Sequence, residues 1–490
     1  WLGVFRKQFR QESTALVAGV LFALHPVQVG VSGFIGGRTD TLALVFSGSA
    51  LLTLSVRDKT LKASSLISLL CFAVAVFTKE QSGFAVLLIP LLLSFTSSLT
   101  KKQCLFITIP YWGVLVFYLL VAKTVVPPSF LPRLGLSVPL HTEIIGRTLW
   151  YYAKTICGLV PNTFHQSSLG AWNPSQWGAA LLGYGVLGGW IGFYVRACRK
   201  EERLRWCWWW VSLALLPCLN IVPTPSQFIA PYRVPLALPG MVGIVAFYLA
   251  ERNPLSVPVK RGVLLGCILL YGGITWHEAL LWRNEIPVLQ TMTQVDTDFL
   301  PAHLWLGNAY QLREQHTAAL QEFTTIWKRL EMSSLSPLQK RNTSKQPPMR
   351  SKVWNLCGWS YSAPRFTRWV LQGEGRSLVG LTDYTHAIPT LEVALIGDEN
   401  NLETLHLLAY AYIESREYSK ATTVLVEQIG NRANAMTFHL RGYLYAKQER
   451  WQAAQGALQR ATTLLPPLDT KTLENNRLLL LYVQQHLQRK

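Results

Sequence analysis

Charged residues are scarce in this chain of 490 residues. They make up 15% of it, whereas about a quarter of the residues in a soluble protein are charged. Half of the chain is hydrophobic. So little charge would leave a water-soluble protein without a solvated surface. The composition therefore excludes an ordinary soluble protein and predicts a membrane protein.

Closely spaced cysteines are absent as well. The chain has eight cysteines and no Cys-x-x-Cys motif, and only Cys357 lies beyond residue 282. Disulfide frameworks and zinc sites both use cysteines at short, regular spacings. We therefore expect neither a disulfide framework nor a metal site.

Acidic residues are few relative to basic ones, with 27 Asp and Glu against 46 Lys and Arg. A net charge of +19 would indicate nucleic-acid binding if the basic residues gathered on one soluble face. Instead they stand in short groups between apolar runs, as membrane topology requires. The pattern predicts contact with membrane lipids and no nucleic-acid partner.

The chain is rich in apolar runs that are long enough, or nearly so, to cross a bilayer. We predict nine membrane spans, at residues 14–33, 40–56, 63–78, 83–96, 104–122, 176–195, 207–222, 234–250 and 262–281. One further run, 146–160, mixes Arg147 and Lys154 into aromatic residues, which is typical of a helix lying at the membrane interface.

Every second predicted loop is basic. Lysines and arginines precede the first span and follow spans two, four, six and eight, as at Arg6, Lys59, Lys101, Arg199 and Arg261. Short cytoplasmic loops carry this excess, and the number of spans is odd. We therefore expect residues 283–490 on the non-cytoplasmic side, in a periplasm or an organelle lumen.

From residue 283 the pattern changes to amphipathic helices that repeat. Three segments share a small residue, an aromatic residue three positions later and an alanine twelve positions later. These positions are Gly307, Tyr310 and Ala319, then Ala409, Tyr412 and Ala421, then Gly442, Tyr445 and Ala454. The last two registers lie 33 residues apart, close to the tetratricopeptide unit of about 34 residues. The sequence thus predicts an all-α chain, with a polytopic helical membrane domain followed by a tetratricopeptide-repeat solenoid.

We divide the chain into four parts on this basis. They are a membrane domain at 1–282, a first tetratricopeptide-like unit at 283–330, a flexible basic insertion at 331–352, and further repeats with a capping helix at 353–490. A weaker unit begins at KVWNLCGWSYSA, where Gly358 and Tyr361 repeat the spacing. Because stacked repeats offer a concave surface whose usual use is binding, we expect a protein partner or acceptor there.

Charged residues recur where predicted spans end. The stretch FALHPVQVGVSGFIGGRTDTLAL contains Arg38 and Asp40, FTKEQSG contains Lys79 and Glu80, and LLPCLNIVPTPSQFIAPYRVPLALPG contains Arg233. With the aromatic run GRTLWYYAKTICGLVPNTF, these motifs resemble, in the same order, those of the transmembrane and tetratricopeptide-repeat glycosyltransferases. That family is related to the protein O-mannosyltransferases of the type C glycosyltransferase superfamily.

The resemblance implies a reaction and a set of residues. The family transfers a sugar from a polyprenyl phosphate to a protein hydroxyl, at the outer membrane face and without a further cofactor. The resemblance makes Asp40 and Glu80 candidate catalytic carboxylates, and makes Arg38, Lys79, Arg233 and His25 candidates for lipid-phosphate or substrate binding. A carboxylate would take the acceptor proton, and cations would hold the departing phosphate.

Two departures from the family leave a second function open. The family's motif continues His-Pro-Val-His-Thr-Glu, whereas this chain has Gln28, Val29 and Gly30 after the proline and valine. The family's first external loop, with its proposed base aspartate, precedes the part that matches. The chain is then a fragment without the catalytic loop or a degenerate enzyme. The alternative is a non-catalytic membrane scaffold whose repeats bind a partner in a larger complex.

A purely structural interpretation of the charges is open too. Arg38 with Asp40, and Lys79 with Glu80, would then be neighbouring pairs at span ends, with Asp40 capping the helix of the second span. His25 would end a helix with its imidazole hydrogen-bonded.

The basic loops generate a labelling prediction. In a background without native cysteines, one cysteine introduced within 331–352 should react with a membrane-impermeant maleimide added from the non-cytoplasmic side. One introduced beside Lys101 should react only after permeabilisation, because the basic loops stay in the cytoplasm. The reverse labelling pattern would overturn the predicted topology.

Overall fold

The computed structural model divides the chain into two compact units, Trp1–Asp298 and Phe299–Lys490. It describes residues 1–9, 11–33, 37–54, 63–87, 89, 100–125, 138–160, 166–167, 176–221, 228–229, 231–252, 256–297, 299–330, 363–464 and 470–488. The predicted insertion 331–352, the weaker unit with Gly358 and Tyr361, and most of the predicted span 83–96 lie outside the described residues.

The described part of the first unit is helical apart from one short ladder. Its helices are α1 (Leu2–Gln8), α2 (Glu12–Leu24), α3 (Val27–Gly33), α4 (Arg38–Thr53), α5 (Ala63–Thr78), α6 (Lys101–Val125), α7 (Val138–Ile156), α8 (Gln176–Phe193), α9 (Glu202–Leu215), α10 (Leu238–Phe247), α11 (Val257–Leu281) and α12 (Glu285–Val295). The 3-10 segments are Glu80–Leu87, Leu216–Cys218 and Pro231–Arg233, and the π segments are Tyr194–Cys198 and Tyr248–Arg252. Strands β1 (Gln166–Ser167) and β2 (Phe228–Ile229) pair antiparallel.

Three helices in the described part of this unit are long and apolar enough to cross a membrane. They lie at Lys102–Val125, Trp177–Cys198 and Val257–Leu281, and the bent pair of α2 and α3 makes a fourth if it is counted as one span. In the most apolar window of the third helix no residue is buried within the protein, as expected for a surface in contact with lipid. The unit therefore has the helices of an integral membrane protein.

The helices that the structure describes within other predicted spans are shorter than the bilayer core. Helix α4 has 16 residues, which is about 24 Å at 1.5 Å per residue, against about 30 Å of hydrocarbon. The apolar helices Ser65–Thr78 and Leu238–Glu251 are also short. Length and composition of single helices thus support three or four spans, and the predicted total of nine stays a prediction.

The first predicted span, 14–33, is wrong as a single helix. Helices α2 and α3 meet at His25 and Pro26 with a bend of 52°. The residue before a proline is pushed out of the helical region, and His25 accordingly has φ −66° and ψ 128°. The bend lets α3 pack against α4 and against the turn Pro231–Arg233.

Glycines set how closely the helices of this unit approach. A Cβ at Gly183 of α8 would lie 1.8 Å from the carbonyl oxygen of Gly146 on α7, and one at Gly240 of α10 would lie 2.5 Å from the carbonyl oxygen of Cys207 on α9. No other residue fits these positions without moving a helix.

The interfacial helix predicted at 146–160 corresponds to the second half of α7, which begins at Val138 and ends at Ile156.

The described part of the second unit consists of antiparallel helix pairs. These are α13 (Leu300–Leu312) with α14 (His316–Arg329), α15 (Ala363–Gly380) with α16 (Tyr384–Ala394), α17 (Leu402–Glu414) with α18 (Tyr418–Thr422) and its π segment Thr423–Gln428, and α19 (Ala435–Lys447) with α20 (Trp451–Leu464). A 3-10 turn (Gly430–Arg432) and a last helix, α21 (Thr470–Gln488), complete it. The predicted boundary at 282 is shifted, because α12 belongs to the first unit.

The helix pairs share one packing register. A Cβ at Gly307, Gly375 or Gly442 would lie 2.7, 2.5 or 2.5 Å from Phe323, Leu391 or Leu458, each sixteen positions later. The alanines Ala319, Ala387, Ala421 and Ala454 are fully buried, as is Ala409. Tyr412 is buried, while Tyr310 and Tyr445 are partly buried against the core. Small residues therefore let the two helices of a pair cross in close contact.

Sequence analysis missed the pair α15 and α16. Gly375, Leu378 and Ala387 repeat the spacing, and Gly375 precedes Ala409 by 34 residues. Leucine replaces the aromatic residue at 378, so the unit lacks the aromatic residue by which the other three were recognised. The period alone would have found it.

Two glycines of neighbouring helices test the packing register. Gly442→Ala should lower the opening free energy of α19 and α20 by about 1–3 kcal/mol, because the new methyl group overlaps Leu458. Gly456→Ala should raise it by about 0.5–1 kcal/mol, since nothing lies within 4 Å of a Cβ there. Hydrogen exchange of peptides from these helices measures both changes. Equal effects of the two substitutions would contradict the close crossing.

Candidate functional site

Charged residues at the ends of α4 and α5 form an ion pair inside the first unit. Asp40 lies in the first turn of α4, and Lys79 follows the last residue of α5. Nζ of Lys79 donates to Oδ2 of Asp40 at 3.3 Å, and the two side chains are 19% and 5% exposed. Because a buried charge requires a partner of opposite sign, the pair holds these two helix ends together.

Tyr232 and Arg233 lie beside this ion pair. Nζ of Lys79 stands 5.4 Å from the centroid of the Tyr232 ring. Arg233 interacts electrostatically with Asp40 and with Glu80. We call Asp40, Lys79, Tyr232 and Arg233 the charge cluster; it brings two cations to one buried carboxylate.

Hydrogen bonds fix the segment that carries Lys79. Nε2 of Gln81 donates to Sγ of Cys218 at 2.7 Å, which joins this segment to the end of α9. The Ser47 hydroxyl donates to the Ser82 hydroxyl at 3.4 Å, and the Ser82 N–H donates to the Lys79 carbonyl at 3.0 Å. These bonds place Lys79 at the start of a rigid turn.

Helix α7 is tied to the same region by Asn220. The Asn220 Nδ2 donates to the Thr148 hydroxyl at 3.2 Å, and its carbonyl accepts from Nε2 of His141 at 2.8 Å. Asn220 has a left-handed backbone with φ 56°, a conformation that asparagine tolerates better than most residues. Cys218, two residues before Asn220, accepts the hydrogen bond from Gln81. These bonds link α7 to the segment that carries Lys79.

Arg38 and Glu80, two other predicted site residues, are exposed. Arg38 makes no ion pair with any residue that the structure describes. Gly37, and not Asp40, is the N-cap residue of α4. The interpretation as neighbouring pairs was therefore wrong, because the ion pair joins Asp40 to Lys79 across two helices.

His25 has a structural place in the bend between α2 and α3. Its ring is 1% exposed, Nδ1 accepts the Val27 N–H at 3.3 Å, and Nε2 lies 2.8 Å from the Ile156 carbonyl. Since a carbonyl only accepts, Nε2 carries the proton. The Tyr271 ring contacts His25 edge-on with 5.1 Å between centroids. Both nitrogens are thus engaged. His25 ends α2 with its imidazole hydrogen-bonded, as the structural interpretation predicted, and neither nitrogen is left for the phosphate contact that the resemblance implied.

Glu143 is a buried carboxylate that sequence reasoning overlooked. It is 0% exposed, and neither of its oxygens has a hydrogen-bond partner among the described residues. Arg147, one turn later on α7, lies 3.7 Å away. The signal was in the sequence, because Glu and Arg four positions apart face each other on a helix.

A groove in the second unit is a separate candidate site. A cavity of about 590 Å³ is lined by His406, Tyr410, His439 and Tyr443 and by residues of α15 and α21. A second cavity of about 470 Å³, lined by α13, α15 and α17, shares Arg376 and Glu403 with the first. We call this surface the repeat groove. Its volume is in the range of ligand-binding clefts.

No family model matches the chain, and no curated protein matches it. Among the described residues, no three His, Cys, Asp or Glu side chains are grouped so that they could hold a metal ion. The case for function therefore depends on the charge cluster and the repeat groove.

The buried ion pair can be tested by a double-mutant cycle. Asp40→Asn and Lys79→Met should each destabilise the chain by about 3–5 kcal/mol, because each leaves one charge uncompensated. The double variant should cost clearly less than the sum, since neither charge remains. Thermal unfolding of the detergent-solubilised chain ranks the three variants.

The exposed pair of Arg6 and Glu12 is the matched control. Its side chains are 53% and 64% exposed, so either single removal should cost less than about 1 kcal/mol. Additive losses at Asp40 and Lys79 would mean that these two residues act independently.

Proposed function

We propose that the chain is a membrane protein of the transmembrane and tetratricopeptide-repeat glycosyltransferase type, and that its charge cluster binds the phosphate of a polyprenyl-phosphate sugar. The observation that carries this proposal is the ion pair of Lys79 with Asp40, beside which lies the turn that holds Tyr232 and Arg233. Asp40 neutralises Lys79, which leaves Arg233, whose electrostatic partners include the exposed Glu80, as the cation available to an anionic ligand. A phosphate is an anion suited to such a place.

The two cations suit different parts of this task. Arg233 presents a planar set of donors that matches two phosphate oxygens, whereas Lys79 is a point charge. Arg233 has no carboxylate within 4.0 Å among the described residues, so no close ion pair neutralises its charge. A site partly shielded from water strengthens such an interaction relative to the surface.

The transfer reaction requires one bond to form and one to break. The acceptor hydroxyl oxygen would bond to the anomeric carbon, the bond from that carbon to the phosphate oxygen would break, and the hydroxyl proton would need a base. The cations would stabilise the departing polyprenyl phosphate. Asp40 is held in an ion pair with Lys79, so it could take the hydroxyl proton only if that pair opened. We therefore expect donor binding to be stronger evidence of function than turnover.

Tetratricopeptide repeats are part of this proposal. The register of a small residue on one helix and a large residue sixteen positions later, with periods of 33 and 34 residues, supports them. In an enzyme the repeats would present the protein acceptor.

A non-catalytic scaffold is the second candidate function. Two observations favour it: Asp40 is committed to Lys79, and the repeat groove has the volume of a binding cleft. In that case the membrane unit anchors the repeats, and the repeats hold a partner of a larger complex.

Lipid binding decides whether the charge cluster has the proposed role. Arg233→Gln should weaken equilibrium binding of radiolabelled polyprenyl phosphate to the chain in nanodiscs by roughly 10 to 100-fold, because a hydrogen bond to a charged group is worth about 1.5–3 kcal/mol. Arg199→Gln, at an exposed arginine, is the matched control and should bind as the unaltered chain does.

Sugar transfer separates the two candidate functions. With polyprenyl-phosphate mannose as donor, we expect slow transfer to a protein acceptor or none. Equal lipid affinity of the two arginine variants would overturn the phosphate site. Rapid turnover would exclude the scaffold, and its loss in an Asp40→Asn variant that still unfolds cooperatively would identify Asp40 as the base.

A further inference from the structure

Two histidines occupy the same position in consecutive helix pairs. His406 on α17 and His439 on α19 are 33 residues apart, and both line the larger cavity of the repeat groove. Each forms a hydrogen bond to the following helix pair or to the last helix. Those bonds determine which ring nitrogen of each histidine carries the proton.

His439 donates through Nδ1. That nitrogen lies 2.9 Å from Oδ1 of Asn476. The orientation of the Asn476 amide is fixed, since its Nδ2 donates to the Leu458 carbonyl at 3.0 Å and to the Thr462 hydroxyl at 2.8 Å. An amide oxygen only accepts, so Nδ1 of His439 bears the proton and Nε2 of the neutral ring is an acceptor.

His406 donates through Nε2. That nitrogen lies 2.9 Å from the Thr437 hydroxyl, whose own proton is directed to Oδ1 of Asn434 at 3.1 Å. Oδ1 is the amide oxygen because it also accepts the Thr437 N–H, at 3.0 Å. The hydroxyl therefore accepts from His406, which leaves Nδ1 of the neutral ring as an acceptor.

Both acceptor nitrogens are left for a ligand. Neither bonds to a residue that the structure describes. Burial lowers the pKa of His406 to about 4, so this ring is neutral at pH 7 and keeps its acceptor. The repeat groove thus offers two hydrogen-bond acceptors at one repeat's spacing.

Charged groups of the groove are already paired. Arg376 forms an ion pair with Glu403, and the Tyr443 hydroxyl donates to Glu414. One turn after each histidine, the Tyr410 and Tyr443 rings stack with 6.0 Å between centroids and 14° between planes. What remains for a ligand is an aromatic surface beside the two acceptor nitrogens, which suits a neutral hydrogen-bond donor better than an anion.

We propose that the repeat groove binds an extended polypeptide segment, whose N–H groups donate to Nδ1 of His406 and Nε2 of His439 and whose apolar side chain packs on the Tyr410–Tyr443 stack. The proposal deepens the proposed function, in which the repeats hold a protein acceptor or partner. An extended segment leaves its N–H groups free for a binding surface, whereas a helix uses most of them internally. A phosphate or an anionic lipid headgroup would need unpaired cations instead.

Peptide selection followed by substitution tests this assignment. Random 12-residue peptides are selected at pH 7.4 on the full chain in nanodiscs, and the tightest one is labelled and titrated by fluorescence anisotropy. The double variant His406→Leu with His439→Leu should raise its Kd by about 10 to 30-fold, because two hydrogen bonds of about 1 kcal/mol each are lost. His386→Leu, at an exposed histidine of α16 whose ring is 74% exposed, should leave Kd unchanged.

A second double variant distinguishes the loss of ligand contacts from a folding defect. His406→Gln with His439→Gln retains an amide donor and an amide acceptor at each position, and it should recover most of the lost affinity. If no peptide is selected, or if the leucine double variant binds as tightly as the unaltered chain, the assignment is overturned.

Polyprenyl phosphate binding is measured on the same nanodiscs. Lipid binding with no effect of the histidines would reject the peptide assignment alone, whereas absence of lipid binding would reject the proposed phosphate site and leave the groove result standing.

Discussion

A buried charge in an apolar unit needs a partner, and this constraint organises the membrane unit around Asp40 and Lys79. The ion pair joins the start of α4 to the end of α5. The turn with Tyr232 and Arg233 then lies against the same charges. Since the energetic penalty for an unpaired buried charge is large, the helix ends are held in one arrangement.

The repeat unit follows a different constraint, which is steric. Gly307, Gly375 and Gly442 let the second helix of a pair cross at contact distance. With the crossing fixed at one point per pair, the first helices present equivalent positions at intervals of 33 or 34 residues. His406 and His439, and Tyr410 and Tyr443, are such equivalents. A regular spacing of donors, acceptors and rings on one surface is therefore a consequence of how the pairs pack.

Sequence alone predicted the features that depend on local pattern. The all-helical class, the apolar helices and three of the repeat registers could be predicted from the sequence, because each follows from periodicity within a short window. The partner of Asp40 could not, because residues 40 and 79 are brought together by the packing of α4 on α5. The break at His25 was predicted only in part: His25 was expected to end a helix, but the apolar composition still suggested one continuous span over 14–33. Glu143 was missed because burial of a carboxylate is a tertiary property.

The two candidate sites differ in how precisely their side chains must be placed for the proposed function. Catalysis of sugar transfer needs a base at one position beside the acceptor hydroxyl, and the carboxylate inside the charge cluster is held by a cation. Binding needs only complementary groups on a stable surface, and the repeat groove has acceptors and rings that the fold itself orients. Loss of a single base would abolish transfer, whereas the groove depends on several residues that also stabilise the stack. For this reason binding of a polypeptide would persist in a chain of this kind even where the chemistry has been lost.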